Sequence, residues 1–306
     1  MRKRRAMRVA AIVICALLVA AGAAIDRARA AEPVGAREQL HAILWMQTAD
    51  EYRANALQAY RHATSRLPAL AKRAGTAAVE QMQVDARRIA KLPTAIVVDL
   101  DETVLDNSVY QARRAAAGLD YDDASWQAWM EEAGAGALPG AHDFLWAAAR
   151  AGHKVFYVTN RQCLAKFART DDACPAKTAT VRNLAALDLP QVSEPDAVTL
   201  RGERPDWESG DKSVRRTWIA ARYRIIALVG DDLRDFTDRA TFAKRRAELE
   251  PLFGERWFIL PNAMYGSWER SLAADVCGKD DVADVCAQKV MTRKYARLVT
   301  VSAAGK

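Results

Sequence analysis

Three short apolar runs, each stopping on a polar residue, constrain this chain more than anything else in it. Thr94-Ala95-Ile96-Val97-Val98 stops at Asp99, Lys154-Val155-Phe156-Tyr157-Val158 at Thr159, and Ile225-Ile226-Ala227-Leu228-Val229 at Gly230-Asp231. Runs this brief and this rich in β-branched residues read as strands buried on both faces. The second and third each follow a helix-like segment, Ala141 to Arg150 and Ser213 to Arg222. Strands alternating with helices imply a parallel sheet with right-handed crossovers, and hence an α/β fold. A fourth strand is expected at Trp257 to Leu260. Upstream, Arg37 to Arg73 reads as a long helical stretch with a rough apolar stripe (Leu40, Ile43, Leu44, Tyr52, Leu57, Tyr60), and helical composition resumes from Thr76 to Lys91. The segment from Tyr110 to Leu138, with Trp126 and Trp129, reads as an insertion over one sheet edge.

Charge invites a nucleic-acid reading and then removes it. The 306 residues carry a formal +7, but residues 1 to 30 hold seven bases and one acid, leaving 38 bases against 37 acids in the remainder. The basic character belongs to the leader, so no nucleic-acid partner is expected. That leader has a cationic start, the apolar run Val9 to Ile25, and Ala28-Arg29-Ala30 as a small-x-small site, the pattern of a signal peptide cleaved after Ala30. An uncleaved anchor is the alternative. Cys15 lacks the small residue before it that lipidation would want, so no stable membrane anchor is expected once the signal is removed. The expected location is therefore periplasmic or secreted. Cys163, Cys174, Cys277 and Cys286 then stand in an oxidising compartment, where closeness in sequence favours the pairs Cys163–Cys174 and Cys277–Cys286. Four buried thiols are the alternative; their spacing does not suit zinc.

In open α/β sheets ligands bind beyond the carboxyl ends of the strands, so Asp99, Thr159 and Asp231 converge. A lone Asp-x-Asp after an apolar run is more often a capped turn than a catalyst. Here, however, Asp99-Leu100-Asp101-Glu102-Thr103 is matched by a second acidic tip, Gly230-Asp231-Asp232-Leu233-Arg234-Asp235. Two like charges 4 Å apart repel by about 4 kcal/mol at an effective dielectric near 20. A hard divalent cation relieves that repulsion, and an all-oxygen set suits Mg²⁺. Such a metal beside Thr159 and a lysine is a receptor for a tetrahedral dianion. Asp99 is then the nucleophile, with Asp101, two residues on, as the proton donor to the leaving oxygen.

With these motifs the chain resembles the bacterial class C acid phosphatases, the lipoprotein e / 5′-nucleotidase family of the haloacid dehalogenase (HAD) superfamily. The resemblance rests on residues 99–107, 155–161 and 230–236, on Trp45, Glu51-Tyr52 and Gln58-Ala59-Tyr60, on Pro139-Gly140, and on residues 260–268. It implies a three-layer, parallel-sheet, HAD-like Rossmannoid core with a smaller, mainly helical cap. Residues 31–306 would form a single domain: N-terminal helices at 31–91, core at 92–109 and 139–270, and a cap-like insertion at 110–138. It implies catalytic roles for Asp99, Asp101, Thr159 and Lys212, and a Mg²⁺ site from Asp99, Asp101 (through its main-chain carbonyl), Asp231 and Asp235. It implies substrate contacts from Asn160 and Arg161, and aromatic walls from Trp126 or Trp129 and from Tyr265. The expected substrates are small phosphomonoesters, 5′-mononucleotides among them. Asp232 occupies a place where Asn is expected in relatives.

Two rival readings are weaker. Cys163 to Arg169 has the Cys-x5-Arg spacing of thiol phosphatases but lacks the glycine-assisted amide cradle, and an oxidised Cys163 could not attack. A non-catalytic exported protein that binds or stores a phosphate ligand should have lost the nucleophile or a metal ligand, and neither is missing.

Overall fold

The computed structural model describes residues 34–279 and 281–300. The leader, its cleavage site and Cys15 lie outside the described residues. Among the described residues, no helix is long and apolar enough to cross a membrane.

A five-stranded parallel sheet forms the centre. Its strands are β1 (Thr94–Val98), β4 (Lys154–Gln162), β5 (Val198–Arg201), β6 (Arg224–Gly230) and β7 (Trp257–Ile259), in the order β5-β4-β1-β6-β7. Their residues are buried almost without interruption, because helices cover both faces. The core divides accordingly. Ile96, Val98, Val155, Tyr157 and Ile226 pack with the helices at 50–72 and 141–150 on one face. Ala95, Val97, Phe156, Ile225 and Leu228 pack with Ile219, Phe236 and Trp257 on the other.

The parallel register sets the site. Val98 pairs with Tyr157 on one side and Val229 on the other, so the residues after all three reach the same edge of the central strands. β4 runs past Val158 to Gln162, longer than its apolar run suggested, and carries Thr159, Asn160 and Arg161 in the strand itself.

The expected long N-terminal helix is two helices, Val34–Thr48 and Asp50–Lys72, broken at the extended residue Ala49. The second buries Tyr52, Ala56, Tyr60, Ala63, Leu67 and Leu70 at steps of three and four. Its carbonyl end is held by the buried Arg224 at the start of β6, which donates to Arg73 O at 2.5 Å and Ala71 O at 2.6 Å. Leu40 and Leu44, expected in the buried stripe, are 48% and 45% exposed, because the helix turns Ile43 and Met46, with Ala42 and Trp45 beside them, toward the core instead. From Thr76 to Lys91 the chain forms a 3₁₀ turn (Val79–Gln81) and one short helix (Ala86–Ala90) rather than a continuous helix.

The insertion consists of helices Ser108–Ala116 and Asp123–Glu132 above a small antiparallel pair, β2 (Leu105–Asp106) with β3 (Gly136–Ala137). It packs against helix Val34–Thr48 on one side and helix Pro175–Ala186 on the other. Both short cysteine pairs are disulfides, Cys163–Cys174 and Cys277–Cys286.

Candidate active site

β1 delivers Asp99 to the sheet edge, where its amide still donates to Val229 O at 2.9 Å. The chain then turns sharply. Leu100 O accepts from the amides of Val104 and Leu105, both at 2.8 Å, and Glu102 sits at φ +61°, a left-handed conformation that non-glycine residues seldom hold. Tyr60 clamps this turn from below, donating its hydroxyl to Thr103 O at 2.7 Å. As a result the Thr103 hydroxyl stands between the acidic tips, 3.2 Å from Asp99 Oδ2 and 3.3 Å from Asp231 Oδ1.

The second tip is built on β6. Gly230 is required there, since a Cβ would overlap the Asp235 side chain. Asp235 closes its own turn, with Oδ2 accepting from the amides of Asp231 (3.1 Å) and Asp232 (3.0 Å). Asp99, Asp231 and Asp235 each offer an oxygen, and these oxygens lie within 4.8 Å of one another. Into this triad comes Lys212, the residue before helix Ser213–Ala220. It is only 4% exposed, and its ammonium donates to Asp99 Oδ1 and, at 2.5 Å, to Asp235 Oδ1.

One lysine against three carboxylates leaves the cluster under-compensated. Burial raises Asp99 to about 7, despite the opposing pull of Lys212. Burial, then Asp235 and Asp99, hold Asp231 well above the carboxylate range. Burial works against Lys212, but Asp235 and Asp99 outweigh it and raise its basicity. A buried, oxygen-only triad with surplus negative charge fits a hard divalent cation.

Asp101 is engaged elsewhere. Its Oδ1 accepts from Arg161 Nε (2.9 Å) and Asn107 Nδ2 (3.0 Å), and its Oδ2 from Thr159 Oγ1 (3.1 Å). The expected metal residues therefore separate into a carboxylate triad and an Asp101 whose side chain is held by β4. Arg161 is fully buried and also donates to Thr180 Oγ1 at 3.1 Å. Asn160 is fixed by Arg215, which donates to its Oδ1 at 2.5 Å and to the carbonyl of Thr159.

The aromatic residues differ from one another. Trp129 is 3% exposed and its indole N–H donates to Asn107 Oδ1 at 2.8 Å. A ring so enclosed has no free face for a ligand, which corrects its expected role as a wall. Trp126 is half-buried, with the Arg161 guanidinium 5.6 Å from its ring centre. Tyr265 is half-buried against the main core, three residues after Asn262. Asn262, not singled out by sequence reasoning, donates to Asp231 Oδ2 at 2.8 Å. Extending the strand-tip rule to the Leu260-Pro261-Asn262 end of the fourth strand would have found it. An open groove of about 530 Å³ begins at Asp231 and Asn262 and runs past Pro261 to Ile259, Trp268 and Arg239.

A five-stranded α/β sheet with two acidic strand tips, a threonine tip and a buried lysine defines a phosphoryl-handling HAD-type enzyme. The family model of HAD superfamily subfamily IIIB (acid phosphatase) matches residues 11–268, and the chain belongs to that family. It is similar to the solved class C acid phosphatase from Bacillus anthracis, at 29% identity and a TM-score of 0.67 over 88% of this chain and 99% of that one. A structure of the class C acid phosphatase from Bacillus anthracis with tungstate bound matches at 30% identity, with the same TM-score and coverage. The protein is accordingly a phosphomonoesterase, acting on small phosphate esters.

Proposed function

We propose that this phosphatase works through an aspartyl-phosphate on Asp99, in a Mg²⁺-loaded site, on phosphomonoesters that include 5′-mononucleotides. The observation that carries this reading is the meeting of Asp99 and Asp231, at the tips of adjacent strands, with Asp235 and the buried Lys212. Asp231 and Asp235 would hold the metal with Asp99 and the main-chain carbonyl of Asp101. The ion would supply positive charge against the phosphoryl oxygens.

The chain's own residues account for the remaining steps. Lys212 and the Thr159 hydroxyl bind and orient the phosphoryl group, offsetting its negative charge in a water-poor pocket. Thr103 holds Asp99 Oδ2 in place, and Asp99 forms a bond to phosphorus as the bond to the leaving oxygen breaks. Asp101 gives its proton to that oxygen, then takes one from the water that attacks the acyl phosphate, releasing inorganic phosphate and restoring Asp99. For the transfer Asp101 must leave Arg161 and Thr159 on β4 and Asn107 before helix Ser108–Ala116, which together define its resting position. Trp126, beside Arg161, and Tyr265, beyond Asn262, are the rings suited to the organic part of the substrate.

Cleavage of the leader and residence in the periplasm or outside the cell are part of the same reading. The two disulfides support an oxidising compartment.

The test is phosphate release from p-nitrophenyl phosphate and a 5′-mononucleotide, with Mg²⁺ and with EDTA. Asp99→Asn should lower kcat by roughly a thousandfold or more, the scale of losing a nucleophile. Denaturation after brief turnover should trap acid-stable phosphate on the wild type only if Asp99 is covalently modified; undiminished turnover by the variant removes Asp99 from that role. Tungstate, a tetrahedral oxyanion bound by the Bacillus anthracis relative, should compete with substrate.

A further inference from the structure

We propose that Asp232 is a positioning residue for the substrate: its carboxylate clasps the segment 260–266, and with it Asn262 and Tyr265, onto the tip of β6. Asp232 lies in the acidic motif yet stands outside the triad of oxygens that could share a cation. Its own oxygens are filled by protein donors. Oδ1 accepts from the Arg234 amide (2.9 Å), Arg234 Nε (3.2 Å) and Ser267 Oγ (2.6 Å), and Oδ2 accepts from the Ser267 amide.

These bonds give the segment a second attachment. Asn262 ties its start to Asp231 at 2.8 Å, and its Oδ1 accepts from the Met264 amide at 2.9 Å. Ser267 ties its end to Asp232. Tyr265 lies between the two ties, so its position relative to the phosphoryl site is set at both ends. Close approach is built in at Gly266, which has φ +156° and whose absent Cβ would stand 2.8 Å from the Trp268 ring and 3.2 Å from Asp232 Oδ2. The acid, as opposed to its amide, follows from the donor count: four donors need two accepting oxygens, and an Asn would present an N–H₂ group to one set of them.

The proposal rests on Tyr265 acting as a wall for the leaving group, and the experiment separates the two. Asp232→Ala, Ser267→Ala, Tyr265→Ala and the Asp232→Ala/Tyr265→Ala double variant are assayed with p-nitrophenyl phosphate and a 5′-mononucleotide. Inhibition by inorganic phosphate and the Mg²⁺ concentration for half-maximal rate are measured alongside. Asp232→Ala should raise KM about tenfold or more, the effect of losing hydrogen bonds to a charged group, with little change in kcat, phosphate inhibition or Mg²⁺ requirement. Ser267→Ala, which removes the hydroxyl's bond to Asp232 and the one it accepts from Arg239 Nε at 2.9 Å but keeps the Ser267 amide on Asp232 Oδ2, should shift the same quantities in the same direction by less, and serves if Asp232→Ala does not fold. The double variant should be no worse than the poorer single. An unchanged KM overturns the clasp, as does a KM rise that follows a raised Mg²⁺ requirement, which would make Asp232 part of the metal site. If Tyr265→Ala raises KM but the two effects simply multiply, the clasp fails and the wall stands. If Tyr265→Ala does nothing, the wall fails and takes the clasp with it.

Discussion

Removing the metal should invert the usual dependence of stability on pH. Without a cation, Asp99 is buried beside Asp231 and Asp235, and burial lifts its pKa from 3.8 to about 7. Between those values the folded chain keeps a proton that the unfolded chain has released, so stability falls as pH rises. Asp99's contribution is complete below about pH 4 and gone above about pH 7. Three units at about 1.4 kcal/mol each give an effect on the order of 4 kcal/mol. At about 2 to 4 °C per kcal/mol for a domain of this size, that amounts to roughly 10 °C in Tm. The assay is thermal unfolding in EDTA at intervals from pH 5 to pH 8, for the wild type and for Asp99→Asn, whose amide cannot ionise. The comparison matters because burial holds His153 below its ordinary value, and protonation of that imidazole costs stability toward pH 5 in both proteins. Subtracting one Tm from the other removes the His153 contribution: the window covers about two of the three pH units over which Asp99's contribution fades, so the wild type should lose roughly 5 to 10 °C relative to the variant across it. Saturating Mg²⁺ should reverse the difference, since a cation stabilises the ionised carboxylate and gives less to the amide. A Tm difference that stays flat from pH 5 to pH 8 in EDTA would refute the reasoning, because it would mean that Lys212 alone keeps Asp99 ionised.

Arg161→Met leaves Asp101 half-buried without its 2.9 Å partner; breaking such a pair costs about 3 kcal/mol or more, so Tm and kcat should both fall, and an unchanged kcat would deny Arg161 any hold on Asp101. Tyr60→Phe strips the buried Thr103 carbonyl of its donor, at about 1 to 3 kcal/mol, and should lower kcat more than it raises KM, as read from initial rates. Mass spectrometry of the unreduced protein should find Cys163, Cys174, Cys277 and Cys286 all oxidised, and Cys163→Ser/Cys174→Ser should cost about 2 to 3 kcal/mol in denaturant unfolding.

How much of this could be read beforehand depended on whether a residue's role shows in its neighbours along the chain. β1, β4, β6 and β7 are legible because a strand covered on both faces needs an unbroken apolar run, and few other structures do. β5 was not foreseen: Ala197-Val198-Thr199-Leu200 is short, ends at Arg201 with no acidic tip, and owes its strand state to pairing with β4 at the sheet edge. Leu40 and Leu44 misled because helical spacing fixes which residues share a face but not which face meets the core. The acidic tips were readable as a pair since their cost, like charges brought together, is visible in the residue types alone. Their relief was harder to see. An isolated lysine resembles any solvated surface charge, and only the packing of helix 213–220 against the sheet turns Lys212 into the buried counter-charge of Asp99 and Asp235.

The same reasoning explains why the second layer of residues was missed altogether. Thr103, Asn107, Arg215 and Asn262 act by orienting another group, and an orienting hydrogen bond leaves no periodic trace in sequence. Each is nonetheless required by the arithmetic of a buried polar site, where every oxygen without a donor costs about 1 to 3 kcal/mol. Asp101 accepts from three side chains and Asp235 from two amides and Lys212, so the donors follow from the carboxylates once the fold is known. Asp99 and Asp231 are the exceptions. Thr103 reaches both only at 3.2 to 3.3 Å, and Lys212 and Asn262 supply one further donor each. Of these four aspartates, Asp99 and Asp231 have the fewest donors, which leaves their oxygens freest to turn toward a cation and a phosphoryl group.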